Sequence, residues 1–141
     1  MSPRATETFF KSESRYRMLV ENSSDIIFSL DFEGYFAYVS PAWKNILGHE
    51  LSEVIGHNFR EFVDPEDIPR CEDIFMAVLR TNAMQEMTYR VQHADGSWRR
   101  HNTRVNRHRD ENGVQTVFGT AHDVTDRFSL NSLFHEPKKW P

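Results

Sequence analysis

Residues 25–48, DIIFSLDFEGYFAYVSPAWKNILG, leave this chain few ways to begin a fold. Two short apolar, β-prone runs, residues 26–30 and 35–39, flank the turn signal Asp31-Phe32-Glu33-Gly34. Gly34 can take a positive φ without a Cβ clash, and the Asp31 carboxylate can accept from backbone two residues on. The segment therefore reads as a β-hairpin with a four-residue loop. The second strand runs directly into Ser40-Pro41, a helix cap followed by the residue best suited to a first helical position. Trp43, Ile46 and Leu47 fall at i, i+3 and i+4, and Gly48 closes the helix as its C-cap. The unit is strand, tight turn, strand, short helix.

Periodicity extends the reading in both directions. Residues 9–21 carry a loosely helical apolar stripe, ended by Asn22-Ser23-Ser24. Leu51, Val54 and Ile55 predict one or two further helical turns before Gly56, and residues 57–63 another short piece. Asp64-Pro65-Glu66-Asp67 combines a cap, a proline at the first helical position and acids suited to the positive helix end. Ile68, Cys71, Ile74, Phe75, Val78 and Leu79 then mark one face of a longer amphipathic helix. Beyond Thr81-Asn82 the period changes to two. Residues 84–92, 98–108 and 114–122 read as three strands joined by turns at Asp95-Gly96 and Asp110-Gly113. Strands first, helices in the middle and strands last give an α+β chain with a five-stranded antiparallel sheet.

Composition narrows function by exclusion. A chain of 141 residues fits one domain with a single core, and 38% hydrophobic with 27% charged residues is a folding balance. The net charge of −4 gives no support to nucleic-acid binding; Trp98 with Arg99, Arg100, Arg104, Arg107 and Arg109 reads as a solvated sheet edge beside Asp95, Asp110 and Glu111. The single cysteine, Cys71, excludes an internal disulfide and a Cys-rich zinc site and suits a reducing, cytoplasmic setting; its place on an apolar helix face makes it a buried hydrophobe. No apolar run approaches the ~20 residues that span a bilayer. Glycine-rich phosphate loops, nucleophile elbows and His-Glu-x-x-His motifs are absent, so no enzyme is expected.

Seven short marks in a fixed order carry a resemblance. They are Asp25-Ile26-Ile27-Phe28, Asp31-Phe32-Glu33-Gly34, Val39-Ser40-Pro41-Ala42, Leu47-Gly48 with Ile55-Gly56, Asp64-Pro65-Glu66-Asp67, Asp95-Gly96-Ser97-Trp98, and Asp123-Val124-Thr125-Asp126-Arg127. With them, residues 14–127 resemble a PAS domain (S-box sensory domain) of a bacterial signal-transduction protein. The resemblance implies a five-stranded antiparallel sheet with short helices on one face, cupped around a cavity, and an N-terminal helix. It divides the chain into a flanking helix (1–22), a sensory domain (23–127) and the start of a truncated C-terminal linker (128–141).

The same resemblance implies the functional expectations. The domain is a non-catalytic sensory and dimerisation module, relaying a small-molecule or conformational signal to an output domain, a histidine kinase or diguanylate cyclase. The alternative is a protein–protein interaction domain with a filled cavity. Met87, Tyr89 and Val91, then Arg99, His101 and Thr103, then Val117, Gly119 and Ala121 are expected to face the cavity, with Phe28 and Trp43 closing it. Either Arg99 and His101 grip an anion there, or apolar side chains fill the space and Arg99 turns to solvent. Flavin-binding relatives carry a reactive cysteine where this chain has His57-Asn58-Phe59-Arg60, and a glutamine where it has Ala121. Haem-binding relatives supply a histidine from the long helix, and residues 69–80 contain none. No flavin or haem is expected. Asp123, Thr125 and Arg127 are the expected relay to the output domain. A homodimer is expected through the N-terminal helix and the outer sheet face around Trp98 and Phe118, with no nucleic acid or membrane contact.

Overall fold

Strand β1 (Ile26–Asp31) pairs antiparallel with β2 (Phe36–Val39), and the loop between them closes where the turn chemistry places it. Asp31 Oδ1 accepts from the backbone N–H of Glu33 and of Tyr35, both at 2.9 Å, and Gly34 takes φ 95°. The computed structural model describes residues 24–126. The helix expected at residues 9–21 lies outside the described residues, as do Arg127 and the linker.

Helix α1 (Ala42–Leu47) follows β2, and Gly48 ends it at φ 84° with its N–H on the Lys44 carbonyl. Ser40 does not cap this helix with its side chain. Its Oγ accepts instead from Ile27 N–H at 2.9 Å, so the serine ties the helix approach to β1. Two single 3₁₀ turns, Leu51–Glu53 and Phe59–Glu61, replace the short helices expected there. Helix α2 (Ile68–Thr81) begins later than Asp64 predicts. The Asp64 carboxylate accepts from Glu66 N–H and shapes a preceding turn, while Asp67 is drawn sideways to the sheet. Cys71, Phe75 and Val78 on this helix are buried, with Ile68, Ile74 and Leu79 packed beside them, as the amphipathic stripe requires.

Strands β3 (Gln85–Gln92), β4 (Trp98–Arg109) and β5 (Gln115–Asp123) complete one antiparallel sheet in the order β2-β1-β5-β4-β3. Its edges do not stay bare. Segment 56–59 bonds along the rim beside β2, through Gly56 N–H to Phe36 O and Phe36 N–H to His57 O. Segment 62–64 does the same beside β3, through Gln92 N–H to Phe62 O and Asp64 N–H to Arg90 O. These strips blunt the edges against pairing with another chain. The core lies between the inner sheet face and the helical layer.

Candidate functional site

A cavity of about 70 Å³ opens between the inner sheet face and the helices. Its walls are mostly aromatic and aliphatic: Phe28 and Leu30 from β1, Phe36 from β2, Trp43 and Leu47 from α1, Phe62 from the connecting segment, and Phe75 from α2. The rings hold one another edge to face. Phe36 meets Trp43 at 5.1 Å between centroids, and Trp43 meets Phe62 at 5.3 Å, arrangements that favour the aromatic quadrupoles. The Trp43 indole N–H donates to His49 Nδ1 at 3.1 Å, which satisfies the one polar atom of that wall.

The other polar atoms on the cavity wall come from β3, β4 and α2. Tyr89 on β3 and Thr103 on β4 are diagonal neighbours on the inner face, and Thr103 Oγ1 donates to the Tyr89 hydroxyl at 2.9 Å. Burial pushes the tyrosine hydroxyl's pKa well up, so it stays a phenol. Burial likewise pushes the Cys71 thiol up to about 12, which makes it a neutral, unreactive wall atom. His101, 2% exposed, lines the same cavity.

His101 also faces a second cluster, at the end of β5. Its Nε2 lies 3.1 Å from Asp123 Oδ2, because register sets His101 directly opposite Asp123. Arg99 grips the same carboxylate with both arms, Nε to Oδ2 and Nη2 to Oδ1, each at 3.0 Å. Thr125 N–H donates to Asp123 Oδ1 at 3.0 Å, and Thr125 Oγ1 accepts from Arg100 N–H at 2.8 Å. Burial alone would raise the Asp123 carboxyl. The hydrogen bonds from His101, Arg99 and Thr125 overcome that and hold it well below the usual carboxylate range.

The expected site residues divide accordingly. Phe28, Trp43, Tyr89, His101, Thr103 and Ala121 line the cavity. Arg99 does not: its guanidinium is spent on Asp123 at the strand's end, so the anion-gripping pair of Arg99 and His101 does not form in the cavity. Gly119 is not on the wall either, because the Phe28 ring lies flat on it; a Cβ there would sit inside that ring. Val117 is fully buried next to Leu30 but outside the cavity. Asp123 and Thr125 are brought together in one network. Phe36, Phe62 and Phe75 were not singled out as wall residues from sequence; for Phe75 the signal was present, since the stripe on α2 had to face something.

A five-stranded antiparallel sheet with short helices closing a cavity over one face defines a recognisable class. The model of the PAS fold family matches residues 20–128, and the chain belongs to that family of sensory domains. Among solved structures, the chain resembles the PAS domain of an HTR-like protein from Haloarcula marismortui. The two share 25% identity and a TM-score of 0.70, over 86% of this chain and 99% of that one. It also resembles a sensory box histidine kinase/response regulator from Burkholderia thailandensis (25% identity, TM-score 0.66, 85% of this chain and 92% of that one). The blue light receptor lreA of Aspergillus flavus is 42% identical over 52 residues, 37% of this chain and 6% of the receptor. The chain spans between 4% and 15% of the curated relatives it matches. No described helix is long and apolar enough to cross a membrane.

Proposed function

We propose that this domain senses occupancy of its cavity and passes the state out through the end of β5 to a C-terminal output domain, with no catalysis of its own. One observation carries the reading. His101 is both a cavity wall and a direct partner of Asp123, and Asp123 in turn holds Thr125, where the chain leaves the sheet. A ligand that shifts His101 would bias the geometry of that exit, which is how a binding event couples to a second site. The likeness to a sensory box histidine kinase favours a histidine kinase over a diguanylate cyclase as the output, and a cytoplasmic parent is part of the same proposal. A homodimer through residues 9–20 and the outer sheet face is part of the proposal, supported by Trp98 and Phe118, 44% and 40% exposed there.

The reading takes no flavin and no haem. Ala121 lines the cavity where flavin-binding relatives carry glutamine, and segment 57–60 offers no cysteine. The likeness to a blue light receptor makes an absorption spectrum the direct check: no flavin band in the blue and no haem Soret band are expected, and either band overturns this part. The relay is tested in the full-length parent. Asp123→Ala and Thr125→Ala are expected to leave the domain folded while output stops following signal; variants that fold, bind and transmit normally defeat the relay. The small cavity and its interlocking rings favour one second reading, an interaction domain that binds no ligand, in which case cavity variants change partner binding alone.

A further inference from the structure

The Tyr89–Thr103 pair has more protons than it uses. Two hydroxyls carry two O–H protons, and the bond between them consumes one. It is the sole hydrogen bond to either hydroxyl among the described residues. With Thr103 donating, the Tyr89 proton is left, and both side chains line the cavity. Around that donor the walls are Phe28, Leu30, Phe75 and Val91, with Cys71 as a neutral thiol. Among the described residues no arginine or lysine lines the space. Arg99 is turned to Asp123, and His101, the basic group on the wall, already has its Nε2 engaged with the Asp123 carboxylate at 3.1 Å. An anion buried here would go unpaired, at a cost no short ligand recovers.

Volume sets the size. A cavity of about 150 Å³ holds benzene, so the 70 Å³ found here suits three to four non-hydrogen atoms. We propose that the cavity takes a short neutral molecule bearing one hydrogen-bond acceptor, a small ketone, aldehyde or alcohol, with the Tyr89–Thr103 pair as donor. This ligand class rests on the sensory reading of the same cavity.

The test is an amide-spectrum titration of the ¹⁵N-labelled 141-residue chain with acetone, acetate and xenon. Acetone and acetate match in non-hydrogen atoms and differ in charge, and xenon reports apolar space alone. Four atoms bound the affinity at roughly tens of micromolar, within reach of titration. Acetone and xenon are expected to shift cavity amides saturably, and acetate at pH 7 to shift none. The double variant Tyr89→Phe with Thr103→Val should weaken acetone by about fivefold to tenfold and leave xenon within about twofold, the size of one net hydrogen bond. Each single variant keeps one free O–H and should weaken acetone by less than about threefold. Acetate binding as tightly as acetone overturns the proposal. So does undiminished acetone binding in the double variant, or exclusion of both acetone and xenon. Should the double variant not fold, the acetate arm and the single variants decide. None of these readouts depends on the parent's output, so the relay can fail with the ligand class intact, and the reverse.

Discussion

Two carboxylates in this domain, Asp67 buried and Asp123 half-buried, are each gripped by an arginine on the sheet, and their surroundings differ in one respect. Asp67, at the start of α2, accepts from Arg90 Nε, Arg90 Nη2 and the Arg90 backbone N–H at 2.9–3.0 Å, and its own side chain is 8% exposed. Arg90 has further carboxylates within reach, Glu66 at 3.3 Å and Asp64 at 3.6 Å. Asp123 is held as closely, but its partner His101 has no second carboxylate among its ion pairs with the described residues and is 2% exposed. The first clamp fastens a helix to a sheet with spare parts. The second has no spare carboxylate within ion-pair distance of Arg99 or His101 among the described residues, and it joins the cavity to the point where the chain leaves the sheet. A joint whose two basic partners share one carboxylate moves when either partner moves, which suits a relay and not an anchor.

Breaking the non-redundant clamp should therefore cost more. Asp123→Ala strands buried His101 and is expected to destabilise by roughly 3 kcal/mol in urea unfolding, which a domain of ordinary stability survives folded. Asp67→Ala, with Glu66 and Asp64 left to Arg90, should cost roughly 2 kcal/mol. Equal costs, or the reverse order, would erase the distinction. The acid response sharpens it. Both carboxyls are held below their usual range, Asp67 mainly by the Arg90 hydrogen bond, so the unfolded chain binds protons first as pH falls. The stability they contribute is complete above the ordinary carboxylate pKa of about 3.9 and is lost as pH drops below it. Stability measured at pH 7 and pH 3 should thus fall less in Asp123→Asn than in the parent sequence; an unchanged fall would show that Asp123 is not the group titrating. The smallest effect expected is Thr125→Val. It removes the acceptor of Arg100 N–H and should cost about 1 kcal/mol or less, while exchange of that amide in deuterated water quickens.

Much of this was legible before any coordinates. Strand alternation separated the two faces and the family resemblance chose the inner one, with Tyr89, His101, Thr103 and Ala121 on it, while the stripe on α2 placed Cys71 and Phe75 on the helix face that had to be buried. What local pattern could not supply was register. Phe28 covers Gly119 because those two residues pair across β1 and β5, which removes the glycine from the wall. Arg99 and His101 share a strand face, yet only the pairing of His101 with Asp123 reveals that both turn to a carboxylate. The Asp67–Arg90 clamp spans 23 residues and overrode a sound cap at Asp64, so α2 starts where the sheet allows it. Ser40 was misread for a similar reason: its hydroxyl had two possible partners, and the strand amide of Ile27 won over the helix end.

The strand order carries one more consequence, for how the molecule is made. β5 lies at the centre of the sheet, bonded to β1 on one side and β4 on the other, although it is the last of the described strands in chain order. Until it arrives, the hairpin β1–β2 and the hairpin β3–β4 have no ladder between them. On the ribosome, which extends a chain from its N-terminus at about 5–20 residues per second, the two halves must wait apart with their inner faces exposed. The arrival of β5 is then also the closing of the cavity, and Asp123 and Thr125, at the end of that strand, are the residues from which any signal would leave.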